Sequence, residues 1–121
     1  MTRDEFRAAT GVSDAVCGRL EIYLDLLEKW QARINLVGPS TMADPWRRHV
    51  LDAAQLLPLL PPGQGPVVDM GAGAGIPGLI VAACGVADVH LIESNGRKCT
   101  FLREAARIME TPVTVHARRL D

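Results

Sequence analysis

The sequence predicts an α/β protein: an N-terminal helical segment followed by three parallel strands, with three observations pointing there. Apolar residues recur at helical spacing through the first half. A proline- and glycine-rich stretch, PPGQGP at residues 61–66, interrupts that rhythm. Beyond it, short apolar runs alternate with helical patterns, as in right-handed βαβ units around a parallel sheet. The break divides the chain into a helical segment, residues 1–60, and an α/β part, residues 61–121.

Within the first part, Leu20, Leu24, Leu27 and Ile34, flanked by Tyr23 and Trp30, form one apolar stripe that predicts a helix from Ser13 to about Leu36. Asp44-Pro45 reads as a capping acid with proline at the first helical position, where the missing N–H costs nothing. The helix it opens would bury Trp46, Val50, Ala53 and Leu57. In the second part the reading is a strand at Val67 to Met70, a helix at Pro77 to Cys84 and a strand at Val89 to Ile92. A helix from Asn95 to Met109 follows, with Cys99, Leu102, Ala106 and Met109 on one face, then a strand at Val113 to Val115.

At 121 residues the chain is long enough for one core. Thirteen Lys and Arg against 14 Asp and Glu create no global field for nucleic acid, so such a partner needs a local basic patch. Cys17, Cys84 and Cys99 never form a CxxC, which fits free thiols in a reducing cytoplasm better than a disulfide framework or a metal site. No apolar run approaches the roughly 20 residues of a membrane span. Aromatic residues are 4% of the chain, too few for a base-stacking platform.

The chemistry concentrates in PVVDMGAGAGIPG, residues 66–78. In a parallel sheet, ligands collect where the first strand turns into its helix, and Gly71, Gly73 and Gly75 fall in that turn. Two ligand classes use bare backbone there, dinucleotides and S-adenosylmethionine, and Gly73 to Gly78 also satisfies the dinucleotide pattern GxGxxG. Asp69 favours the second class. A pyrophosphate about 4 Å from a carboxylate costs about 4 kcal/mol at an effective dielectric of 20. The sulfonium cofactor instead brings an ammonium that the carboxylate can hold. The alternative is that Asp69 only caps the turn. Glu93 ends the second strand, where an acid accepts hydrogen bonds from ribose hydroxyls in both ligand classes; its alternative is an acid favoured by a helix N-terminus.

Three blocks, INLVGPSTMADPWRRHVLDAAQLLPLLP, VVDMGAGAGIPGL and LIESNGRKCTFLREAA, resemble the bacterial small-subunit ribosomal RNA guanine-N7 methyltransferases, also called glucose-inhibited division protein B. The similarity runs from about Leu27 to Asp121. Arg48, His49 and Asp52 match the family's Arg-His pair followed by an aspartate. The resemblance implies the first half of a Rossmann-like S-adenosylmethionine-dependent methyltransferase fold, with an N-terminal helical extension. The cofactor set it completes is Asp69, Gly71, Ala72, Gly73, Gly75, Ile76 and Glu93, with the Arg119-Leu120 main chain at the adenine. No catalytic side chain and no metal ligand is assigned.

The implied substrate is small-subunit ribosomal RNA or the small ribosomal subunit, and the implied location is the cytoplasm. Candidate RNA contacts are Arg47, Arg48, Arg97 and Lys98, although Asp44, Arg48 and Asp52 at helical spacing can pair along the surface instead, and His49 can be a packing histidine. Alternatives are a nicotinamide or flavin oxidoreductase, and a non-catalytic fragment that binds RNA or associates with itself. Family members continue well past the third strand, so a C-terminally truncated chain is expected. The resemblance implies that the first strand lies in the middle of the complete sheet. Its exposed edge here predicts a homo-oligomer, without methyl transfer by this length.

Overall fold

The computed structural model describes residues 1–60 and 65–119. Helix α1, Arg3–Thr10, is an element that the apolar pattern did not reveal. Thr2 and Glu5 form a reciprocal capping box: the Thr2 hydroxyl accepts the Glu5 amide at 3.1 Å, and the Glu5 carboxylate accepts the Thr2 amide at 2.9 Å. Phe6, wholly buried, packs its ring 5.3 Å from that of Trp46. Helix α2 runs Asp14–Gln31 from a Ser13 cap and buries Val16, Cys17, Leu20, Tyr23, Leu24 and Leu27. It stops short of the expected Leu36. The Gln31 side chain accepts the Leu36 and Val37 amides and donates to the Val37 carbonyl, so a turn replaces the next helical bonds.

A short 3-10 stretch, Pro39–Ala43, leads to Trp46–Leu51, wound more widely than an α-helix, and to α3, Asp52–Ala54. Asp44 stands just ahead of this segment. Its carboxylate takes the Met1 ammonium at 3.0 Å and Arg47 at 3.3 Å, which also replaces the Asp44–Arg48–Asp52 pairing expected from spacing. The predicted apolar face holds in part: Val50 and Ala53 are buried, Trp46 and Leu57 half-buried.

Strands β1 (Val67–Met70), β2 (Val89–Glu93) and β3 (Thr114–Ala117) form one parallel sheet in the order β1-β2-β3. Helices α4 (Gly78–Ala83) and α5 (Gly96–Ile108) make the crossovers. The register pairs Asp69 with Leu91, Leu91 with Val115, and Glu93 with Ala117. Side chains alternate across a strand, so Val67, Asp69, Val89, Leu91 and Glu93 face α4 and α5. Their neighbours Val68, Met70, His90, Ile92 and His116 face the other way. One continuous core joins α2 to this covered face through Leu20, Tyr23, Leu27, Leu79, Leu91, Phe101 and Leu102.

The other face is bare among the described residues: Val68 is 49% and Met70 66% exposed. There the His90 and His116 rings stack at 5.2 Å with Nδ1 and Nε2 3.0 Å apart, while His90 Nε2 lies 2.8 Å from Asp88. β1 is an edge strand of this sheet. All three cysteines are free, Cys17 and Cys99 buried and Cys84 half-buried.

Candidate cofactor site

The turn after β1 is held in place from below by two carboxylates. Glu93, 8% exposed, accepts the Gly73 amide on Oε1 and the Asn95 amide on Oε2, each at 2.8 Å. It thus ties the glycine loop to the entrance of α5, where the Asn95 side chain caps the helix by accepting the Lys98 amide. Asp69 accepts the Gly78 amide at 2.9 Å from the first residue of α4. Burial pushes the Asp69 carboxyl above the usual carboxylate range; the Gly78 hydrogen bond pulls it down, and the charge of Glu93 adds to the rise. Each carboxylate keeps lone pairs beyond those its amides use.

The glycines divide into two kinds. At Gly78 an added Cβ would strike Leu91 and come within 2.8 Å of Asp69 Oδ2, and at Gly75 it would meet Leu79 Cβ at 2.8 Å. Those two positions serve packing. Gly71 has positive φ and nothing within 4 Å of the place its Cβ would take, and Gly73 meets only the Gly71 carbonyl at 3.8 Å. Here the main chain is bare toward open space, as close approach by a ligand requires.

Most of the loop's donors are spent inside the protein. The Gly71 and Ala72 amides bond the Ile92 carbonyl, Gly75 bonds Ala72, and Gly73 and Gly78 bond the carboxylates. Among the described residues, no acceptor takes the amides of Ala74 or Ile76. The turn thus keeps fewer unspent amides than a glycine-rich loop suggests, and one of the two belongs to buried Ala74. On the acidic side, Asp69 and Glu93 suit a cation and hydroxyl groups. The donor set fits a ligand carrying an ammonium, a carboxylate and a ribose.

The structure brings Asp69, Gly71, Ala72, Gly73, Gly75, Ile76 and Glu93 into one turn and its floor. The Arg118 amide bonds the Glu93 carbonyl at 3.0 Å, which carries the chain after β3 past the same floor. Arg119 lines a cleft of about 400 Å³ on the bare face with Val68, His90 and His116. Leu120 lies outside the described residues. Arg97 and Lys98 open α5 directly after the Glu93–Asn95 link. Arg47 and Arg48 belong to the helical segment, where Arg47 is paired to Asp44. His49 is buried with Nε2 2.8 Å from the Thr41 hydroxyl, a packing histidine that burial holds below its ordinary pKa.

Sequence reasoning missed two contacts. The Tyr23 hydroxyl donates to the Ala74 carbonyl at 2.7 Å, and the Cys99 thiol to the Glu93 carbonyl at 3.2 Å. Both residues sit in apolar stripes and signalled only core.

A family model described as "GidB: rRNA small subunit methyltransferase G" matches residues 16–121. The chain is 55% identical over 121 residues to a protein of Paramagnetospirillum magneticum named "Ribosomal RNA small subunit methyltransferase G", covering 100% of this chain and 59% of that one. A protein of the same name from Rhodospirillum rubrum is 55% identical over 121 residues, covering 100% and 60%. One from Rhodospirillum centenum is 55% identical over 117 residues, covering 97% and 54%. The chain thus spans 54% to 60% of the length of these relatives.

Proposed function

The chain belongs to the GidB family of rRNA small subunit methyltransferases G, and from that membership we propose that it binds S-adenosylmethionine over the Gly71–Gly75 turn and serves methyl transfer to guanine N7 of small-subunit ribosomal RNA. The observation that carries this reading is the pairing of open main chain at Gly71 and Gly73 with two carboxylates, Asp69 and Glu93, beneath it. A pyrophosphate would meet both negative charges and find few unspent amides.

Asp69 holds the methionyl ammonium, directly or through water. Gly71 and Gly73 let the methionyl tail approach, and Ala72, Gly75 and Ile76 complete the turn that carries them. Glu93 accepts the ribose hydroxyls on its remaining lone pairs, and the Arg119 main chain flanks the adenine. When bound, the cofactor supplies a methyl group on a sulfonium. Guanine N7 carries a free lone pair at neutral pH, so the protein has no proton to remove, and its contribution is to hold the reactants in line. The base must be unpaired or extruded to reach them. Arg97 and Lys98, and on the helical segment Arg47 and Arg48, supply phosphate contacts. Work on ribosomal RNA would place the protein in the cytoplasm.

Calorimetry tests the reading. S-adenosylhomocysteine should bind and NAD should not, and Glu93→Ala should weaken binding by about 1.5–3 kcal/mol, the range for hydrogen bonds to a charged group. Saturable NAD binding without a response to the sulfonium cofactor would sink the assignment.

As a further part of the proposal, this chain associates with itself through β1, an edge strand among the described residues. Light scattering at micromolar concentration should give a dimer or larger species; a monomer removes that part.

A further inference from the structure

Helix α2 grips the α/β part at two polar points one helical turn apart. Arg19 donates through Nε at 3.1 Å and through Nη2 at 2.9 Å to the carbonyl of Ala83, the last residue of α4. Tyr23 donates its hydroxyl to the carbonyl of Ala74, inside the glycine turn, at 2.7 Å. Side chains four residues apart lie on the same face of a helix. A single face of α2 therefore holds the turn and α4 at both ends. Tyr23 is wholly buried, with its ring 6.3 Å from that of Phe101 in α5. Burial also raises the hydroxyl's pKa, so it remains a donor at any working pH.

The Ala74 peptide sits in a sensitive place. The two unspent amides of the turn, those of Ala74 and Ile76, flank it, and the Gly73 amide next to it is held by Glu93. The turn is thus fixed on one side by carboxylates of the sheet and on the other by a phenol of the helical segment. Without the phenol, the Ala74 carbonyl would be a buried acceptor with no partner, and the turn would have to shift to satisfy it.

Resting on the cofactor reading above, we infer that Tyr23 is a positioning residue: its hydroxyl sets the Ala74 peptide, and through it the glycine main chain that the methionyl tail approaches. The helical segment is then part of the cofactor site. Arg19 anchors the far end of α4 and contributes to the fold alone.

The test compares Tyr23→Phe with Arg19→Met in the same chain by S-adenosylhomocysteine calorimetry, thermal unfolding and amide hydrogen exchange. Tyr23→Phe should weaken binding about tenfold and speed exchange of the amides at 71–78. Arg19→Met should lower the melting temperature while leaving affinity within twofold. Equal affinity in Tyr23→Phe and the wild type would overturn the inference, as would a loss in Arg19→Met matching that in Tyr23→Phe.

Tyr23 is the only tyrosine in the chain, so 3-fluorotyrosine labels it alone without removing the hydroxyl. Its fluorine resonance should move when S-adenosylhomocysteine is added; an unmoved resonance on a saturated protein also overturns the inference. If the wild type binds no S-adenosylhomocysteine, the cofactor reading fails. The exchange comparison then still decides whether Tyr23 sets the turn, with unchanged rates in Tyr23→Phe counting against it.

Discussion

The two faces of the sheet are built from alternate residues of the same strands, yet they differ in kind. Toward α4 and α5, Leu91 has no exposure and the carboxylates of Asp69 and Glu93 each hold main-chain amides. On the opposite face, Val68 and Met70 are open to solvent, and the polar groups include a histidine pair leaning on Asp88 and, lining the cleft, Arg119. One face is packed against its own helices, with Val89 and Leu91 buried and Val67 and Asp69 half-buried. On the other, among the described residues, Val68 and Met70 stay open while His90, Ile92 and His116 are half-buried.

Truncation is the sharpest way to break the contrast. Leu91→Ala should cost about 2–5 kcal/mol in denaturant unfolding, the range for a leucine cavity in a closed core. Met70→Ala, one register position away but on the bare face, should stay within about 0.5 kcal/mol. Equal costs would mean that something covers Met70 in solution.

Overpacking gives the next largest effect. Gly78→Ala drives a methyl into Leu91 and Asp69 on the covered face and should destabilise by about 1–3 kcal/mol, with cofactor affinity falling as well. A variant of wild-type stability would show that the β1–α4 spacing is looser than these contacts allow.

The smallest effect concerns Asp69 and pH. Its folded pKa is raised, chiefly by burial, so its ionisation opposes folding. The stability associated with its neutral form is fully present below the unfolded value, near 3.8, and is lost as pH rises through the higher folded value. Asp69→Asn keeps an oxygen for the Gly78 amide. Its melting temperature should therefore gain on the wild type as pH rises through that window, then run parallel to it. A difference that is constant with pH would place the carboxylate in an environment no different from water. At neutral pH the wild-type carboxylate thus carries a stability penalty, consistent with a group kept for a ligand.

The α/β half was legible because its signals are local. An apolar run, a glycine turn and a capping Asn95 each declare themselves within a few residues, and β2 and α5 fall within a residue or so of the expected bounds. The helical half was less so. Helix α1 buries Phe6 alone, leaving no periodicity to read, although Thr2 and Glu5 spell its capping box. The end of α2 depends on Gln31 folding back on residues 36 and 37. Asp44 reads as a helix cap, and nothing near it announces that its carboxylate also takes the Met1 ammonium, 43 positions away in the chain.

At the candidate site, Asp69, the glycines and Glu93 were visible from residue type and position. Which glycines pack and which stand open was not, since that depends on Leu79 and Leu91 arriving from other elements. The Tyr23–Ala74 bond joins residues 51 apart and leaves no mark in either neighbourhood.

The three free thiols give the molecule a chemical clock. Burial pushes Cys84, at the end of α4, up to about 11, which keeps it in the thiol form and slow toward an alkylating reagent at neutral pH. Cys99 is buried, with its thiol hydrogen turned to the Glu93 carbonyl. Maleimide capture of Cys99 should therefore wait on the moments when the hand-over from β2 to α5 comes apart. Its rate would count those openings directly, without a bound ligand or a chromophore at the site.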